Sequence, residues 1–132
     1  MSDIITTELY AKKILKKRLM FFNYYNAEDK YDDRLGKYFG YYENNQNGDD
    51  CLYFYDLGIC WKQNNKDIII FYKNIKSHRL EDGKASLALL IDLDDGSTIR
   101  LPVKGKRDKF VDSLQMHTFF GSILGRVYKI NE

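Results

Sequence analysis

Between Leu35 and Val103 the chain reads as a run of short strands, with period-two alternation clearest toward its end, and beyond Lys106 the period becomes that of a helix. The clearest stretch is Leu87, Leu89, Ile91 and Leu93, interleaved with Ala88, Leu90 and Asp92. Across Asp94-Asp95-Gly96 the alternation resumes as Ile99, Leu101 and Val103 against Thr98, Arg100 and Pro102. An Asp-Gly turn between two such runs is the signature of a β-hairpin. Upstream, Leu35–Glu43, Cys51–Tyr55, Ile59–Lys62, Asp67–Tyr72 and Ile75–Leu80 read as strands. Asn44–Asp50 is a loop, and Asp56–Gly58, Asn64–Lys66 and Glu81–Gly83 are turns, because Asn, Asp and Gly tolerate turn backbones. Asp67–Tyr72 is apolar on both faces, which places it in the middle of a sheet.

Two segments carry helical spacing. Thr6 or Thr7 caps the first, and Glu8 sits in its first turn, where the helix dipole favours a negative charge. This helix is expected to run to about Phe22, with Tyr10, Ala11, Ile14, Leu15, Leu19, Phe21 and Phe22 on one side. Lys12, Lys13, Lys16 and Lys17 occupy the other. The second helix spans Asp108 to about Gly125, or on toward Tyr128, and puts Phe110, Leu114, His117, Phe120, Leu124 and Val127 on one arc, with Met116 and Ile123 at its edge. Asn23–Arg34 is a polar connection. The expected fold is α+β and mostly antiparallel β: an N-terminal helix, a meander of about seven strands and a C-terminal amphipathic helix. No repeat or linker divides the chain, so residues 1–132 form one domain, with 1–30 as helix and connection and 35–127 as core.

The phrasing of several segments resembles the pleckstrin-homology superfold, in particular its GRAM-like and bacterial PH-like members. Leu52-Tyr53-Phe54-Tyr55-Asp56-Leu57-Gly58-Ile59 resembles their strand–turn–strand opening. Ile68 to Ile75 is similar to their apolar strand followed by a polar step, and Asp95-Gly96-Ser97 to Val103 to the last hairpin before the helix. The resemblance covers about Leu35 to Val127 and implies a partly open barrel plugged at one end by the final helix. The chain departs from it in the added N-terminal helix. It also lacks the tight basic cluster with which lipid-binding members hold phosphoinositide head groups.

Composition narrows the functional classes. With 44% hydrophobic and 15% aromatic residues the chain can build a core. Charge is nearly balanced, with 21 basic and 19 acidic residues, but it is banded. Tyr31 to Trp61 carries two basic and six acidic residues, and Lys62 to Arg79 five and one. There is no apolar run of the roughly 20 residues needed to cross a bilayer and no basic-then-apolar signal sequence. Cys51 and Cys60 make no disulfide framework, so a cytoplasmic protein with reduced thiols is expected, and a bond across the hairpin is the alternative.

No residue set forms a catalytic signature. His78 and His117 are the only histidines. With Lys76 they would suffice for a small acid–base nuclease, but His117 lies on the apolar arc, where a packed histidine is the simpler reading. Asp92, Asp94 and Asp95 before Gly96 lack the spacing and closing acid of a calcium loop. Two Cys and two His without paired spacing do not make a zinc site. Lys104-Gly105-Lys106-Arg107 lacks the phosphate loop's glycines, and Ser122 lacks a nucleophile elbow. No metal and no cofactor is expected. Lys62, Lys66, Lys73, Lys76 and Arg79 with Trp61 and Tyr72 would form a nucleic-acid patch, but the balanced charge argues against that partner.

Interaction is the better-supported class. Tyr24, Tyr25, Tyr31, Tyr38, Tyr41 and Tyr42 crowd one segment, and alternation cannot bury them all on one side. A non-enzymatic protein-binding module follows, of the kind in which a bacterial immunity or inhibitor protein covers a toxin's active surface. Its expected contacts are Tyr38, Tyr41, Tyr42, Glu43, Asp49, Asp50 and Asp56, facing a basic partner. The alternative is peripheral contact with anionic lipid through Lys12, Lys13, Lys16 and Lys17.

Overall fold

The structure, a computed structural model, describes residues 6–19, 22–24, 30–45, 49–64, 66–83, 86–107 and 110–128. Helix α1 covers Thr7–Tyr10 and continues as a wider, π-helical turn over Ala11–Lys16. Thr6 caps it as expected: its side-chain oxygen accepts from the Leu9 amide at 3.1 Å. The helix stops short of Phe22, because Phe22–Tyr24 is already strand β1. Strand β2 is Tyr31–Asp32, so the expected connection carries two short strands. Phe21 and Tyr25, placed above on the helix and in the tyrosine cluster, lie outside the described residues.

Four longer strands follow: β3 (Gly36–Glu43), β4 (Asp50–Tyr55), β5 (Gly58–Gln63) and β6 (Lys66–Phe71). They pair antiparallel in chain order, with β1 and β2 on the free side of β3. A 3-10 turn at Tyr72–Asn74 leads to a second antiparallel sheet of β7 (Ile75–Leu80), β8 (Ala88–Leu93) and β9 (Thr98–Pro102). The expected hairpin is there, with Ile91 opposite Ile99 and Leu89 opposite Leu101. A small ribbon, β10 (Lys106–Arg107) with β11 (Phe110–Val111), precedes helix α2, Asp112–Ser122, which continues as a π-helical turn over Ile123–Val127. The chain is thus α+β, with mostly antiparallel strands and one helix toward each end.

Three local expectations fail, each for a tertiary reason. Strand β6 is an edge strand, not a central one. Ile70 is buried beneath it while Ile68 and Ile69 are half-buried, so apolar residues on both faces do not require a partner on both edges. Helix α2 starts four residues later than Asp108, and Phe110, in the ribbon, is 65% exposed. The buried stripe of α2 is Met116, Phe119, Phe120, Ile123 and Leu124, rotated from the expected arc, which leaves Leu114 and His117 half-buried at its edge.

One buried cluster joins both helices to both sheets. Ala11, Ile14, Leu15 and Leu19 of the first helical segment enter it beside Phe54, Ile59, Ile70, Leu89, Ile91 and Leu101. Phe119 sits at its centre, with its ring centroid 5.9 Å from Phe54 and 6.2 Å from Tyr72. Gly40 lets β1 close on β3: its φ is +148°, and a Cβ there would collide with the Asn23 carbonyl. A polar corner ties the sheets together. Asn44 donates from Nδ2 to the Pro102 carbonyl at 2.9 Å and accepts from the Lys104 amide at 2.8 Å. Beside it the buried Tyr42 hydroxyl donates to Asp112 Oδ2 at 2.7 Å and accepts from the Gly105 amide at 2.9 Å.

Candidate functional site

The outer face of the larger sheet is aromatic because the strand registers align tyrosines. Tyr41 pairs with Tyr53, which pairs with Cys60, and Tyr38 pairs with Tyr55. The inner rows are apolar: Tyr42, Leu52, Trp61 and Ile68 in one, and Gly40, Phe54, Ile59 and Ile70 in the next. A register shift between Tyr38 and Gly40 keeps both Tyr38 and Tyr41 outside. The outer rings touch at tilted angles: Tyr38 lies 5.2 Å from Tyr55 and 6.3 Å from Tyr53, and Tyr41 lies 6.0 Å from Tyr53. Partial burial raises the hydroxyl pKa of Tyr38, Tyr53 and Tyr55 above the ordinary tyrosine value, so all three stay protonated at neutral pH. Sequence reading had the tyrosines of β3 but missed Tyr53 and Tyr55, whose same-parity positions on β4 were the available signal.

The expected contact residues separate. Tyr38, Tyr41 and Glu43 are half-buried on this outer face, and Asp49 is exposed at the start of β4. Tyr42 is not a surface contact: it is fully buried, and both of its hydroxyl bonds run inward. Asp50 serves the fold, since its Oδ1 accepts from Trp61 Nε1 at 2.8 Å and Asn44 Nδ2 at 3.2 Å. Asp56 is half-buried in the β4–β5 turn, and desolvation, with Glu8 nearby, lifts its pKa above the usual aspartate value. The acidic loop is therefore not one charged surface. Trp61 and Tyr72 are likewise buried, so the nucleic-acid patch read around them is not assembled.

Beside the tyrosine row a cleft of about 300 Å³ opens between β2 and the outer face of β3–β5. Tyr38, Tyr53 and Tyr55 line it, with Tyr31 at its edge, 71% exposed. Lys30 and Lys62 stand at the cleft, and the Lys62 ammonium lies 5.7 Å from the Tyr53 ring centroid. The lining carboxylate, Asp32, has its Oδ1 committed to the Arg34 and Leu35 amides, at 2.7 and 3.0 Å.

Lys12, Lys13, Lys16 and Lys17 are all exposed. Lys16 sits 4.8 Å over the Tyr24 ring, and Lys12 pairs with Glu8 at 3.6 Å. The apolar side that a membrane-lying helix would insert is already buried in the core. No described helix is long and apolar enough to cross a membrane.

The two histidines, 39 residues apart, meet in the seam between β7 and α2. Their Nδ1 atoms are 2.7 Å apart, so one ring donates and the other accepts. Burial, with His117 adjacent, lowers the His78 pKa to about 4, and burial lowers that of His117. Phe120 lies 5.8 Å from the His78 ring. Lys76 is exposed, and among the described residues no cluster of three His, Cys, Asp or Glu could hold a metal. His78 lies opposite the buried Ile91, and His117 sits at the edge of the buried stripe of α2, so their meeting depends on how β7 and α2 pack and not on either pattern alone. Cys51 and Cys60 are buried free thiols on the outer face, raised in pKa chiefly by desolvation. Cys51 pairs with Lys62 and Cys60 with Tyr53, so the two thiols sit diagonally, not opposite each other.

No family model, curated protein or solved structure matches the chain.

Proposed function

We propose that this chain is a non-enzymatic protein-binding module on a pleckstrin-homology-like barrel, acting in the cytoplasm as an immunity or inhibitor protein that covers the active surface of a bacterial toxin or effector. The observation that carries the reading is the outer tyrosine row, Tyr38, Tyr41, Tyr53 and Tyr55. Tyrosine gives a partner large rigid area and a hydroxyl at low entropic cost, which is why it concentrates at interfaces. The barrel reading rests on the order of a four-strand meander, a three-strand meander and a closing helix. The contacts are Tyr38 and Tyr41 with Glu43 and Asp49 at the rim; Tyr42 and Asp50 hold the fold behind them.

The test is capture from source-cell lysate with the wild-type chain and with a Tyr41→Ala/Tyr53→Ala variant, followed by mass spectrometry. One stoichiometric partner held by the wild type and released by the variant supports the reading. Equal capture by both chains sinks it. The lipid alternative is favoured by the exposure of Lys12, Lys13, Lys16 and Lys17 and opposed by the burial of the helix's apolar side. It requires salt-sensitive binding to anionic vesicles that is lost when the four lysines become glutamine.

A further inference from the structure

The cleft beside the tyrosine row has a chemistry of its own. Its lining combines the Tyr38, Tyr53 and Tyr55 rings, whose hydroxyls are protonated at neutral pH as in any tyrosine, with the Lys30 and Lys62 side chains. The two lysines supply cationic donors, and the tyrosine hydroxyls can donate or accept. Among the described lining residues the carboxylate is Asp32, whose Oδ1 accepts from the amides of its own turn and lies 3.6 Å from the Arg34 guanidinium. The Lys62 ammonium, over the Tyr53 ring, has a long, exposed pairing with Asp67 at 4.0 Å, which solvent weakens. A donor-rich site with aromatic walls is complementary to a flat ring that carries an anionic group. Its volume, about 300 Å³, lies at the small end of ligand sites and suits one such unit.

We propose that this cleft is a binding site for a nucleotide unit, with the base lying against the Tyr38, Tyr53 and Tyr55 rings and the phosphate between Lys30 and Lys62. Stacking on tyrosine accepts any base, and the lysines neutralise the phosphate without reading sequence. The unit is either a free nucleoside monophosphate or one nucleotide of a single strand. The site shares Tyr38, Tyr53 and Tyr55 with the surface proposed above for a protein, but titration of the isolated chain involves no partner, so the two readings can fail separately.

The experiment is titration of the isolated chain with adenosine monophosphate, adenosine, inorganic phosphate and a five-nucleotide oligoadenylate, followed by NMR or tyrosine fluorescence. The monophosphate is expected to bind more tightly than either fragment. Lys30→Gln and Lys62→Gln, both at exposed positions, are each expected to weaken it about tenfold, equivalent to about 1.4 kcal/mol, and to leave adenosine unchanged. Tyr55→Leu is expected to weaken monophosphate and adenosine alike. Tighter binding of the oligomer than of the monophosphate identifies a strand as the source, and equal binding a free nucleotide. No saturable monophosphate binding overturns the proposal. So does affinity no better than that of inorganic phosphate, or affinity retained when both lysines are replaced.

Discussion

The tyrosine row on the larger sheet and the histidine seam under α2 are both places where polar atoms sit among aromatic rings, and they are built in opposite ways. On the sheet, Tyr38, Tyr41, Tyr53 and Tyr55 remain partly open, and their rings lean on one another without a covering layer. In the seam, a helix covers a sheet, and the two imidazoles bond each other through their Nδ1 atoms. The first arrangement leaves surface for something outside the chain. The second turns its facing nitrogens toward each other and away from any partner outside the chain. Substitutions should accordingly divide, with those under the helix changing stability and those on the open row changing binding.

The largest effect belongs to the covered side. Phe119 is fully buried between Phe54 and Tyr72 and ties α2 to the larger sheet. Phe119→Ala should cost about 3–5 kcal/mol, through lost burial and the cavity left behind. Chemical denaturation with an unchanged m-value checks this. A loss under about 1 kcal/mol would mean that the helix does not carry the core.

Tyr42→Phe should cost less, about 1–3 kcal/mol, because the ring stays while Asp112 and the Gly105 amide each lose a buried partner. Its effect on partner capture should be nil, whereas Tyr41→Ala one residue away should act on capture. That contrast within a single strand tests the division of faces directly.

The seam also makes a pH prediction. Both histidines have lowered pKa values in the folded chain, so the unfolded chain binds protons more readily below its ordinary value of about 6.5. Their contribution to stability is complete above that pH. It is lost as pH falls toward about 4, with a slope of at most about 1.4 kcal/mol per pH unit for each proton. The two rings titrate as a pair. One proton can be taken up at an outer nitrogen while the Nδ1–Nδ1 bond persists, but a second makes both facing nitrogens donors. Asp56, whose pKa is raised, works with the opposite sign, since its contribution is lost as pH rises. Glu8 and Asp92, whose values are lowered by Lys37 and by Ser77 and Thr98 respectively, act below the histidine window. The difference between wild type and His117→Gln, measured by denaturation at pH 7 and pH 5, isolates the seam. An identical loss of stability in both would remove it as the cause.

These regions were unequally legible in the sequence. The strand and turn order from Leu35 to Val103 was readable because local alternation and Asp-Gly or Asn-rich turns act over a few residues. The edge position of β6, the late start of α2 and the rotation of its buried stripe toward Phe119 depend on which elements pack together, and alternation does not encode that. The tyrosine cluster was visible as composition, but burial sorted it: Tyr42 turned inward to Asp112, while Tyr53 and Tyr55 joined the outer row through the β3–β4 register. Asp50 looked like loop charge and is instead a partner of Trp61, a bond between residues in adjacent strands. The histidines meet because β7 packs beside the edge of the buried stripe of α2, which neither local pattern encodes.

The smallest effect on stability should come from the open row itself. Tyr41 contacts Tyr53 across the strand pair, with centroids 6.0 Å apart, and both rings are only half-buried. A cross-strand aromatic pair of this kind contributes about 0.2–1 kcal/mol, so Tyr41→Ala should shift the thermal midpoint only slightly. Truncating an exposed tyrosine at an interface can nonetheless remove a dominant share of binding energy. The comparison is sharpest if Tyr41→Ala keeps its fold and loses the partner. A Tyr41→Ala protein destabilised as much as Phe119→Ala would show that the outer row is core by another name, leaving no open face for a partner to use.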